Sequence, residues 1–66
     1  NVLHFIIVEI MDDLKALIKD DGYLVLSGIL DEKKDIVLEA IKKHNLKVVE
    51  ENHLDIWVSF VVKKDI

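Results

Sequence analysis

Two stretches of this chain, Tyr23–Ile29 and Ile56–Lys63, carry apolar side chains on both of their faces. Side chains alternate across a β-strand, so a strand that is apolar at both phases sits inside a sheet and is covered on both sides. The remaining sequence offers only two helical patterns and one further strand, too little to cover both faces of such a sheet. The pattern therefore implies surface that something else covers. The composition sharpens this implication. With 66 residues there is room for one domain at most, and a chain of this size buries only about 60% of the surface its unfolded form exposes. Yet 52% of the residues are hydrophobic and no cysteine is present to staple a small fold.

The first helical pattern runs from about Phe5 to Lys19, with Ile7, Ile10, Met11, Leu14, Leu17 and Ile18 on one stripe. Asp20-Asp21-Gly22 should stop it, with Gly22 free to take the left-handed conformation of helix ends. The strand Tyr23–Ile29 follows. A second helix is expected from Glu32 to His44, capped by Asp31, with Val37, Ala40, Ile41 and His44 as its buried stripe and a Glu39–Lys43 ion pair on its surface. Asn45 is the expected stop. Strands Leu46–Glu51 and Ile56–Lys63, joined through Asn52-His53-Leu54-Asp55, should form an antiparallel hairpin.

The two hairpin strands differ in character. The last has Trp57 and Val61 on one face and Ile56, Val58, Phe60 and Val62 on the other, whereas Leu46–Glu51 carries Lys47, Glu50 and Glu51, as an edge strand does. A strand–helix–strand unit makes its two strands parallel. If the charged strand is the edge, the last strand inserts between the two parallel ones and runs antiparallel to both.

Particular residues add a resemblance to this reading. Asn1-Val2-Leu3, Gly22-Tyr23-Leu24-Val25-Leu26-Ser27-Gly28-Ile29-Leu30, and Val48-Val49-Glu50-Glu51 followed by Ile56-Trp57-Val58 occur in order across all 66 residues. Together they resemble the end of the class I S-adenosylmethionine-dependent methyltransferases that modify ribosomal protein L11. Asp20-Asp21-Gly22 stands where that family has Pro-Gly-Gly, Asp55-Ile56-Trp57 where it has Gly-Glu-Trp, and His4 where a small residue is common. The resemblance implies an α/β fold: the C-terminal part of a Rossmann-like sheet, residues 1–66, without the glycine loop that holds the cofactor. It also implies a cytoplasmic parent enzyme that moves methyl groups from S-adenosylmethionine to amino groups, lysines among them, of a ribosomal protein. By position Asn1 matches the family's asparagine after the fourth strand, which contacts the cofactor, and an amide there offers both donor and acceptor. No catalytic residue is carried over.

Other candidates have plainer explanations. Ser27-Gly28 is expected to end a strand where glycine lets the backbone bend, and Trp57 to lie in the core. His4, His44 and His53 have no metal-ligand spacing and no cysteine beside them, so no metal site is expected. Asp12-Asp13 and Glu50-Glu51 are neighbours whose side chains point apart, as solvated faces do. A net charge of -4 with interspersed basic residues argues against direct nucleic-acid contact, and the run Val2–Ile10 is too short to span a membrane. The segment is expected to be inactive alone and to self-associate or pack on the missing part of its parent. The rival reading is a free-standing small α/β interaction module that oligomerises through an exposed strand edge.

Overall fold

The computed structural model describes residues 4–65. The first helical pattern folds as two short helices, α1 (His4–Glu9) and α2 (Met11–Leu17), separated at Ile10 (φ -97°, ψ 10°). The Ile10 amide still donates to Ile6 (3.0 Å) and the Leu14 amide to Ile10 (3.0 Å), so the rod is bent rather than cut. The bend re-phases the stripe. Ile7, Met11 and Ile18 are buried, but Leu17, expected inward, is 79% exposed. Ile18 leaves the helix in an extended conformation (φ -85°, ψ 129°) and takes the inward place instead. Gly22 does not adopt the left-handed conformation; among the described residues, positive φ occurs at Gly28, Asn45 and Asp55. Position 22 is tight for a different reason. Its amide donates to Lys19 (2.9 Å) in a tight turn, and a Cβ there would lie 3.3 Å from the Lys19 backbone.

Strand β1 (Leu24–Leu30) runs into a 3-10 turn, Asp31–Lys33, and then helix α3 (Lys34–Lys43). Asp31 makes no capping hydrogen bond. Its carboxylate is turned away toward Lys34 and His53, and α3 starts two residues later than a cap at Asp31 would require. Val37, Ala40 and Ile41 are buried as the stripe foretold, while Glu39 and Lys43 are not among the ion pairs. Asn45 ends the helix with φ 58°, a conformation Asn tolerates better than most residues.

Strands β2 (Leu46–Leu54) and β3 (Trp57–Lys64) form the hairpin, and the sheet order is β1-β3-β2 with β3 antiparallel to both neighbours. The inserted strand is thus where the apolar pattern put it. The connection is shorter than expected. Asn52, His53 and Leu54 stay in β2, paired with Ser59, Val58 and Trp57, and only Asp55 and Ile56 turn, with Asp55 at φ 57°. Val58, Phe60 and Val62 are buried against Ile7, Met11, Val37, Ala40 and Ile41, so the helices cover one face of the sheet. Phe60 is fully buried, which stabilises the fold by about 1.5–3 kcal/mol relative to exposure. The alternate positions form an outer face, and there Tyr23, Val25, Val49 and Trp57 meet solvent.

Candidate functional site

Open α/β sheets bind their ligands beyond the carboxyl ends of their parallel strands. Here β1 and β2 are the parallel pair, and their carboxyl ends bring together the Ser27-Gly28 segment, the hairpin turn and the start of α3. Between Leu26, opposite Phe60, and Ile29, opposite Val58, β1 spends two residues against Ser59 alone. This is a β-bulge rather than a strand end, and Gly28 at φ 74° supplies the conformation it needs. A shallow hollow of about 230 Å³ lies beside the bulge, bordered by Ser27, Gly28, Asn52, His53, Leu54, Trp57, Val58 and Ser59.

Trp57 does not lie in the core. It is 36% exposed, because its place in β3 alternates with that of Val58 and Phe60 and therefore faces outward. An interior strand position covers the backbone; it does not by itself cover both side-chain faces.

On the helix side of the same end, four charged or titratable residues converge. The Lys34 ammonium lies 3.4 Å from Glu51 and 3.9 Å from Asp31. The His53 ring sets Nε2 2.5 Å from Glu51 and Nδ1 3.6 Å from Asp31. The Asp31 amide donates to the Ile56 carbonyl (2.8 Å), which ties the hairpin turn to the end of β1. Glu51 is held below the usual carboxylate range chiefly by the hydrogen bond to His53, with the Lys34 charge adding to it and partial loss of water opposing it. The reading of the sequence missed this cluster. Its traces are there: Asp31 and Lys34 are one helical turn apart, and Glu51 and His53 share one face of a strand.

The other candidates are separated from this end. Asn1 lies outside the described residues, as does the side chain of His4. His44 pairs with Asp12 (2.7 Å) and joins α2 to the end of α3. Glu50 accepts a hydrogen bond from Asn52 (2.8 Å) on the outer face, while Glu51 points inward to Lys34 and His53, so the adjacent carboxylates do point apart. Among the described residues no group of His, Asp and Glu is arranged to hold a metal ion. No helix among them is long and apolar enough to cross a membrane.

Comparison with known proteins decides what this arrangement belongs to. Residues 1–65 match the family described as Ribosomal protein L11 methyltransferase (PrmA). The chain belongs to the ribosomal protein L11 methyltransferase family. Relatives bearing that name include those of Oceanobacillus iheyensis, 39% identical over 64 residues, and Streptococcus mutans, 44% identical over 66 residues. Each alignment covers 97% of this chain and 20% of the relative, so the chain spans about one fifth of the curated relatives' length. The fold also matches the crystal structure of a ribosomal protein L11 methylase from Lactobacillus delbrueckii subsp. bulgaricus. That match has a TM-score of 0.92 at 17% identity and covers all of this chain and 34% of the other. The α/β unit with its inserted antiparallel strand therefore has the fold of the matching part of that methylase. The two glycines of the sequence, Gly22 and Gly28, are committed to a turn and a bulge, and neither opens a helix after a strand.

Proposed function

We propose that this chain is the C-terminal segment of a methyltransferase domain whose parent transfers methyl groups from S-adenosylmethionine to amino groups, lysines included, of ribosomal protein L11 in the cytoplasm. The observation that carries the proposal is the family match over residues 1–65, which agrees with the independent sheet order β1-β3-β2. In this reading the segment builds one end of the sheet, and the contacts to the cofactor's methionine part and ribose come from a glycine loop and an acidic residue elsewhere in the parent. Asn1 is the one residue of this segment assigned to the cofactor side. The segment alone is inactive.

The test uses the full-length parent, radiolabelled S-adenosylmethionine and purified ribosomal protein L11. Label entering the substrate's amino groups supports the proposal, and Asn1→Ala in that parent should weaken cofactor affinity while leaving the thermal transition in place. Absence of transfer to this substrate, with transfer to another, would overturn the substrate assignment.

A second reading is favoured by one feature. β1 has β3 on one side and no further strand on the other among the described residues, and Leu24–Leu30 carries no charge along that edge. Such an edge is a template for pairing. We infer that the isolated chain self-associates there, and a free-standing module would use the same edge as its working interface.

A further inference from the structure

The cluster at the carboxyl end of the sheet has a feature that simple surface ion pairs lack. Both ring nitrogens of His53 face carboxylate oxygens, Nε2 toward Glu51 and Nδ1 toward Asp31. A neutral imidazole has a single N–H, so one nitrogen must then present its lone pair to a carboxylate. Only the imidazolium can donate toward both. The charge balance points the same way. With the ring neutral, two carboxylates face the single ammonium of Lys34; with the ring charged, two cations face two anions. The four side chains come from the first turn after β1, the start of α3 and the end of β2, so together they tie three elements at one point. Val58, opposite His53 in β3, adds no charge to the group.

We propose that Asp31, Lys34, Glu51 and His53 form a proton-operated clasp that fixes the hairpin end onto the start of α3 and is tightest when His53 is protonated. Histidine side chains ordinarily change charge between about pH 5 and pH 8, which sets the interval over which the clasp is tested. Glu51 stays ionised throughout that interval, because His53 and Lys34 hold it below the ordinary carboxylate range. The backbone bond from the Asp31 amide to Ile56 is the part the clasp protects.

Hydrogen exchange of the Asp31 amide in the full-length parent protein tests this, at about pH 5.5 and about pH 8. Rates are corrected for intrinsic chemistry and referred to the buried Phe60 amide. The expected result is exchange about two- to fivefold slower at the lower pH, a size set by partly exposed ion pairs. His53→Gln, and separately Glu51→Gln, should erase that difference while leaving Phe60 exchange unchanged. A wild-type difference that is absent, reversed, or retained in His53→Gln would overturn the proposal.

Discussion

On the helix-facing side of the sheet, Val58, Phe60 and Val62 are sealed from water, whereas on the opposite side Val25 is 63% exposed and Val49 and Trp57 also meet solvent. The inner face is the more apolar, and the outer face mixes Val25, Val49 and Trp57 with Lys47, Glu50 and Ser59. Burial of the first by α1, α2 and α3 forms the core, with no cysteine in the sequence to cross-link it. The second nevertheless leaves large apolar side chains in solvent. That contrast is what a part of a larger sheet looks like, and it fits a chain spanning one fifth of its relatives' length.

Substitution at the two faces gives the widest separation. Phe60→Ala should cost about 3–5 kcal/mol and leave the chain largely unfolded, whereas Val25→Thr should change its stability by no more than about 0.5 kcal/mol. Urea denaturation followed by circular dichroism measures both. A large loss at Val25 in the isolated chain would mean that the outer face is already covered.

The second effect concerns the uncovered edge. Sedimentation of the isolated chain at low micromolar concentration should reveal dimers or larger species, and Val25→Lys should weaken association by about ten- to a hundredfold, roughly 1.4–2.8 kcal/mol. A well-folded monomer at that concentration would remove the contrast between the sheet's two sides. A smaller effect is expected at the bulge. Gly28→Ala forces a side chain into φ 74° and should cost about 1–2 kcal/mol, with the loss read in thermal unfolding.

The strand order was legible because β3 is apolar at both phases while Lys47, Glu50 and Glu51 mark β2 as an edge. The buried stripe of α3 was legible for a similar reason, since Val37, Ala40 and Ile41 follow the helical period. Local signals failed where tertiary pairing overrode them. Asn52-His53-Leu54 reads as a loop, yet cross-strand bonds to Trp57–Ser59 draw it into β2. The break at Ile10 has no glycine or proline to announce it, and with it went the inward placement of Leu17. Trp57 was misplaced because strand pattern reports which face a residue shares, not whether anything covers that face. The charged cluster joins Asp31 to Glu51 and His53, residues about twenty positions apart, and only the folded hairpin brings them together. Asn1, the one cofactor-side assignment, lies outside the described residues and remains a proposal.

The smallest expected effect is a pH dependence. The carboxyl of Glu51 is depressed in the folded chain, so its contribution is present above the ordinary carboxylate value of 4.5 and is lost as pH falls through the folded value. Acid titration of stability should therefore show a slightly steeper loss below that value in the wild type than in Glu51→Gln. Equal acid profiles for the two would contradict the lowered value.

The most direct measurement is calorimetric titration of S-adenosylmethionine into the isolated chain and, in parallel, into the full-length parent. The account predicts saturable binding to the parent and no detectable heat of binding to the chain, because the chain builds a sheet end and not the cofactor's cradle. Saturable micromolar binding to the isolated chain would contradict it.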